Sequence, residues 1–301
     1  MQALVNGGAG VDLFGFAGAR ADYNITSTAG GYAVLPKNGS GGGMPLLVNV
    51  ELFKFSDTTV NVEYDEVVQA LYVAYFGRAA DAGGMRSFQE QLDKLDAPHD
   101  IVGLNSAYGS NPALRQLVDS FGKSAESDAL YPDGVEAFVG AVYKNVLGRS
   151  ADADGLAFWS HAIDSGVLTQ ANAALSIMAG ALENTSPQGL LDARRIDNTL
   201  AVASDFTLAL DRPTEIDGYA GSLAASIVRA MLATVSAESD LGPFQSLIKQ
   251  MLSIMAGELS AAFGTAPPEI GMDAAMETPL QLVGQAAAPW HGGYGGLGEL
   301  S

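Results

Sequence analysis

The sequence predicts a mainly α fold: a helical body with two helix–turn–helix repeats, a small antiparallel β unit before it and an extended Gly/Pro-rich tail after it. Three observations predict this. Apolar residues alternate before about residue 62 and recur at helical spacing from about Asp65 to Phe263. A long motif occurs twice at an offset of about 71 residues. The residues after 263 are rich in Pro and Gly, with no helix-length amphipathic pattern.

The β unit comprises residues 1–63. Short β-branched or aromatic runs mark its strands: Tyr23-Asn24-Ile25-Thr26, Gly31-Tyr32-Ala33-Val34 and residues 47–55. The cluster Gly39-Ser40-Gly41-Gly42-Gly43 reads as a flexible loop between two of them. Residues 64–130 hold the first helical repeat; residues 131–263 hold the second and further helices, over 192–210, 219–236 and 243–262. One face carries Val68, Leu71, Tyr72 and Tyr75; another carries Val135, Phe138, Val139, Val142 and Val146. Ile227, Met231, Leu232 and Val235 read as packed core.

The repeat aligns Leu71-Tyr72-Val73-Ala74-Tyr75-Phe76-Gly77-Arg78-Ala79-Ala80-Asp81-Ala82-Gly83-Gly84-Met85 with Val142-Tyr143-Lys144-Asn145-Val146-Leu147-Gly148-Arg149-Ser150-Ala151-Asp152-Ala153-Asp154-Gly155-Leu156, and Phe88 with Trp159. Gly77 and Gly148 stop a helix in the left-handed conformation. Asp81 and Asp152 then cap the next helix, which reaches Gly84 and Gly155 in its first turn. Arg78 and Arg149 have two readings: they pair with Asp81 and Asp152 to fix the turn, or they bind an anionic or sugar ligand.

Charge and composition narrow the function. The 301 residues hold 34 acidic and 15 basic side chains, a net charge of −19 that repels nucleic acid and anionic lipid. Hydrophobic residues make up 48% of the chain, which argues against global disorder. There is no cysteine, so no disulfide framework, and no uninterrupted apolar run long enough for a membrane span. Met1 to Gly10 lacks the basic start and apolar core of a signal peptide. That leaves three possibilities: retention inside the cell, export without a cleaved N-terminal signal, or a fragment of a longer product.

No catalytic constellation is legible. His99, His161 and His291 stand at no metal-ligand spacing, and no nucleophile elbow or phosphate loop occurs. Carboxylate pairs such as Asp152 and Asp154 are expected by chance in so acidic a chain.

The doubled motif, Tyr-x4-Gly-Arg-x2-Asp-x2-Gly before aromatics, resembles the DUF4214 family, helical domains of bacterial surface and repeats-in-toxin (RTX) proteins. Phe121-Gly122-Lys123-Ser124-Ala125-Glu126 is similar to that family's linking F-x-x-S-x-E stretch. The second copy fits from about Asp133 to Gly180, the first more loosely, with Met85-Arg86-Ser87-Phe88 in place of Leu-x-aromatic-Trp. A related corner occurs in phycobilisome linker polypeptides, which are scaffolds. Gly7-Gly8-Ala9-Gly10-Val11-Asp12-Leu13-Phe14-Gly15 resembles the RTX nonapeptide, which implies calcium held by Gly8, Gly10 and Asp12 in half a site.

These resemblances imply a non-catalytic extracellular structural protein, a surface-layer, filament or matrix subunit, exported in type I-like fashion and assisted by calcium. Its expected partners are copies of itself. The alternative is an adhesin that binds cell-surface polysaccharide; a third is an enzyme carrying accessory modules. Assembly is expected to involve the tail, where Leu282, Trp290 and Tyr294 stand among glycines and either fold back or join a neighbour.

Overall fold

The computed structural model describes residues 4–28, 30–38 and 45–257. The tail after residue 263, with Leu282, Trp290 and Tyr294, lies outside the described residues, as does the glycine loop 39–43.

Among the described residues, seven strands precede the helices: β1 (Leu4–Asn6), β2 (Leu13–Gly15), β3 (Tyr23–Thr28), β4 (Gly31–Pro36), β5 (Leu46–Val48), β6 (Leu52–Lys54) and β7 (Thr59–Asn61). The expected antiparallel unit is present: β3 pairs with β4, β4 with β5, and β6 with β7. The stretch 47–55, expected as one strand, is divided between β5 and β6 by a turn at Asn49, whose φ is +49°.

That division creates a feature the alternation pattern did not reveal. β1 runs parallel to β5, and β2 runs parallel to β6. The path β1–turn–β2 is therefore one coil stacked on a second coil, β5–turn–β6. Val11-Asp12-Leu13-Phe14 of the first lies against Val50-Glu51-Leu52-Phe53 of the second. Middle residues of the strands face inward: Leu47 and Phe53 are buried, with Val5 and Phe14 packed on them. The coils are stitched at their turns. Asp12 N–H donates to Glu51 Oε2 at 2.8 Å, and the N–H groups of Glu51 and Leu52 donate to Asp12 O. Gly7 N–H donates to Val48 O, and a Cβ at Gly7 would run into the Asn49 carbonyl, so only glycine allows this approach. Among the described residues, the strand orders β1-β5-β4-β3 and β2-β6-β7 leave β1 and β2 as edges.

The helical body follows: α1 (Asp65–Phe76), α2 (Ala82–Lys94), α3 (Ile101–Tyr108), α4 (Pro112–Asp119), α5 (Ala125–Leu130), α6 (Val135–Leu147), α7 (Ala153–Asp164), α8 (Gln170–Glu183), α9 (Pro187–Ala209), α10 (Pro213–Gly218), α11 (Ser222–Leu232) and α12 (Gly242–Met255). Helix α1 is buried on every side, enclosed by α2, α3, α5, α6, α8 and α9. Its rings Tyr72, Tyr75 and Phe76 meet Phe88, Phe121 and Phe138 in one aromatic core. Of the expected apolar stripe on α11 and its following turn, Met231, Leu232 and Val235 are buried, whereas Ile227 remains partly exposed at the edge of the contact.

The β unit seats on α9 and on the start of α1. Leu208 of α9 packs into the core of the β unit, and Arg20 donates to the Leu208 carbonyl at 2.6 Å. Two buried carboxylates hold the rest of the seam. Asp65 accepts from Tyr32 of β4 and Ser204 of α9; Asp205 accepts from the Ser27 N–H of β3 and from Gln245 of α12.

Candidate functional site

The doubled corners are the most distinctive polar features of the body, and both are built alike. Gly77 ends α1 with φ +66°, its N–H donating to Val73 O; Gly148 ends α6 with φ +68°, donating to Lys144 O. Substituents there would strike Asn145 in one case and Arg195 in the other, so each glycine is fixed by conformation and by space. Asp81 Oδ1 accepts the Gly84 N–H and Asp152 Oδ1 accepts the Gly155 N–H, both at 2.8 Å, which is the expected N-cap.

The arginines do something the spacing did not indicate. Arg78 makes its main pair with Glu126 in the first turn of α5, Nε to Oε1 at 2.7 Å and Nη2 to Oε2 at 2.6 Å. Asp81 is a looser partner at 3.7 Å. Arg149 leaves Asp152 altogether and pairs with Asp192 of α9, Nη2 to Oδ2 at 2.7 Å. In both copies the guanidinium lies over the tyrosine one turn before the glycine, Tyr72 at 5.0 Å and Tyr143 at 5.8 Å. A bidentate carboxylate pair over an aromatic face ties each corner to the helix that begins the next segment.

The register of those carboxylates differs between the copies for a readable reason. Ser124 caps α5 and Glu126 follows it by two; Ser186 caps α9 and Gln188 follows it by two. Where the first copy has a carboxylate, the second has an amide. The charge has moved one helical turn on, to Asp192, and Gln188 donates to Asp192 Oδ1 at 2.8 Å. Glu126 lay within the F-x-x-S-x-E stretch. Asp192 and Gln188 had no such signal, because Ser186-Pro187-Gln188 departs from the pattern at the acid.

Burial separates the two corners. Arg78 is 1% exposed, and the backbone around it is fully engaged: Gln69 accepts from Ala80 N–H, Thr207 donates to Ala80 O, and Tyr219 donates to Ala79 O. Burial lowers the pKa of this guanidinium, but Tyr219 and Glu126 outweigh it and the net shift is upward. The Arg149 side chain is 38% exposed; its hydrogen bond to Asp192 raises its pKa. On α7, the helix that follows this corner, Phe158 is 63% exposed. Replacing Arg149 with alanine removes the exposed member but leaves Asp192 buried with Gln188 as a remaining donor, so it should cost about 1–3 kcal/mol in a denaturant titration, the range for a buried group that loses a charged hydrogen bond. A loss as large as that of a fully buried ion pair would show that the exposed geometry misleads.

The profile of DUF4214, a domain of unknown function, matches residues 118–186. That match covers less than a quarter of the chain. Its limits coincide with the seams just described. The DUF4214 segment opens at the end of α4, takes in Ser124 and Glu126, spans the corner from Gly148 to Gly155, and closes on Ser186, the cap of α9. No curated protein and no solved structure matches the chain.

The glycine turn of the first coil was the expected calcium site. Gly8 and Gly10 have φ of +104° and +105°, and Asp12 closes the turn. The turn stacked on it is only Asn49-Val50-Glu51, without glycine, and the Glu51 carboxylate is engaged by the Asp12 N–H. Among the described residues no three acidic or histidine side chains converge as a metal site. The turn of Gly8, Gly10 and Asp12 thus has, among the described residues, no glycine-rich counterpart stacked on it. Of the histidines, His99 stacks on Tyr64 and bonds Glu63, and His161 is exposed; His291 lies outside the described residues. No helix among the described residues is long and apolar enough to cross a membrane.

Proposed function

We propose that this protein is a non-catalytic extracellular structural subunit of RTX type, which self-assembles into a surface layer, filament or matrix. The observation that carries the reading is the open end of the coil pair. Among the described residues β1 and β2 are edge strands, made of Leu4-Val5-Asn6 and Leu13-Phe14-Gly15, with no charge, proline or bulge in them to block further pairing. Leu4, Val11 and Leu13 are 64%, 59% and 56% exposed there. The corners support the same reading from the other side, since Arg78 and Arg149 are both committed to internal carboxylates and hold helices together. Calcium enters as an aid to assembly: the turn of Gly8, Gly10 and Asp12 is half a site, and a surface of net charge −19 repels its copies until cations screen it. Calcium is about millimolar outside cells, the range of weak extracellular sites.

The second reading, a polysaccharide-binding adhesin, is favoured by exposed Phe158 on α7, the helix that follows the less buried corner, an aromatic face on which a sugar ring can stack. Sedimentation and electron microscopy of the purified full-length chain separate the two. The subunit is expected to form ordered oligomers, more of them with calcium. A chain that stays monomeric at high concentration with calcium, yet binds glycan, would replace the first reading with the second.

A further inference from the structure

Helices α1 and α9 meet at a pair of buried polar side chains. Gln69 of α1 is 0% exposed and Thr207 of α9 is 7% exposed. Gln69 Nε2 donates to Thr207 Oγ1 at 2.8 Å, across 138 positions of chain. Gln69 Oε1 accepts the Ala80 N–H at 3.0 Å, while Thr207 Oγ1 donates to Ala80 O at 2.6 Å. Asp65, one turn earlier on α1, hydrogen-bonds the same amide. It is also buried, and it accepts from Tyr32 and Ser204.

Each of these bonds satisfies a buried polar group. Together they also set out the parts of an acyl transfer. Thr207 supplies a hydroxyl nucleophile, and Gln69 Cδ is the carbonyl carbon it would attack. The Ala80 N–H is a fixed donor on the oxygen where negative charge develops. Reacting atoms in a near-attack pair stand about 3–3.5 Å apart. A hydroxyl bonded to the amide nitrogen lies near that range from the carbon, which is one short C–N bond further on. Attack then needs the hydroxyl to leave the plane of the amide for its face. Burial pushes the Asp65 carboxyl up to about 7, so its acid and ionised forms are both present near neutral pH. The same burial keeps water from the product.

We propose that Thr207 and Gln69 join as an ester, an intramolecular cross-link between α9 and α1 that the folded chain forms once. The Thr207 Oγ1–Gln69 Cδ bond forms, and the Cδ–Nε2 bond breaks with its electron pair going to nitrogen. Asp65 gives a proton to that nitrogen and is restored by the proton of the hydroxyl, so the nitrogen leaves as ammonia. No oxidant, reductant or second reactant is consumed, and the dilution of ammonia into solvent draws the exchange forward. In a chain without cysteine, this bond does for α1 and α9 what a disulfide does elsewhere. The cross-link requires no second copy, so it holds or fails separately from self-assembly.

Mass spectrometry of the purified full-length chain tests it. The intact mass is expected to fall short of the sequence mass by one ammonia. That loss alone is not decisive, because Asn6-Gly7 can also lose ammonia by closing a succinimide. Trypsin should leave the peptide that carries Gln69 joined to the one that carries Thr207. Fragmentation should place the bond at those two residues, and hydroxylamine should separate them. Thr207→Val should give the two peptides unlinked. Asp65→Asn keeps an acceptor for Tyr32 and Ser204, and it should slow formation by about 100-fold. If the two peptides of the parent stay separate after days at neutral pH, the proposal is overturned and the pair is an ordinary hydrogen bond. A link that survives Thr207→Val, or that forms in Asp65→Asn as fast as in the parent, overturns it too.

Discussion

Glu126→Ala should lower stability by about 3–5 kcal/mol, the range for stranding a buried charge. Arg78 is 1% exposed, with its Nε and Nη2 committed to Glu126 at 2.7 and 2.6 Å. Around the guanidinium stand the rings of Tyr72, Phe76 and Tyr219 rather than water. Asp81 at 3.7 Å is the remaining carboxylate, and its Oδ2 has no hydrogen-bond partner of its own. Arg229 also reaches Glu126 Oε1, at 3.5 Å, while its Nε holds the Phe76 carbonyl at the end of α1, so α11 loosens with the same substitution. Replacing both members, as Arg78→Met/Glu126→Leu, should recover much of the loss, since the penalty lies in the unpaired charge more than in the missing attraction. Urea titrations of the two variants beside Arg149→Ala decide the matter. If Glu126→Ala costs no more than Arg149→Ala, the buried pair is not what locks the first corner.

What sequence could and could not disclose follows from the range of each interaction. The corners were legible because their grammar is local: a left-handed glycine, then a capping aspartate, set by neighbours within one turn. The arginine partners were not, because Glu126 and Asp192 reach the corners only after the intervening helices have packed. The first copy's second half also escaped notice. Where the second copy has the single helix α8, the first has α3 and α4, separated at Asn111 and Pro112, and neither is long enough to show a clear period. The parallel coils were hidden for a related reason. Alternation marks a strand but says nothing of its partner, and residues 47–55 read as one run until Asn49 takes a left-handed turn. Asp65 and Asp205 gave no signal at all, since an aspartate beside apolar helix residues ordinarily faces solvent.

Those two aspartates set the other large effect: the protein should become steadily less stable as pH rises from about 5 to 8. Burial pushes the Asp65 carboxyl up to about 7, against the lowering effect of the hydrogen bond from Tyr32, with Glu66 adding to the rise. Burial likewise pushes Asp205 up to about 8, against the Ser27 N–H, with Asp65 adding to the rise. The groups facing them are neutral or acidic: Tyr32 from β4, Ser27 from β3, Gln69 and Glu66 from α1, Ser204 from α9, and Gln245 from α12. Both folded-state values lie above the unfolded value near 3.9, so the folded chain keeps protons that the unfolded chain releases. Stability from these groups is fully present below about pH 4 and is lost as pH climbs through 7 and 8. The slope is at most ~1.4 kcal/mol per pH unit for each proton, and flattens above pH 8. The strain falls on the seam between the β unit and α9, where ionised Asp65 and Asp205 repel each other. Asp205→Asn keeps an acceptor for Ser27, and Gln245 can turn its amide to match, so this variant should melt higher than the parent at pH 8 and much as the parent does at pH 5. Thermal melts of both proteins across that range test it. A parent whose melting temperature holds level or rises from pH 5 to 8, or a variant that gains nothing at pH 8, would mean that the seam carries these carboxylates ionised and paired with cations after all.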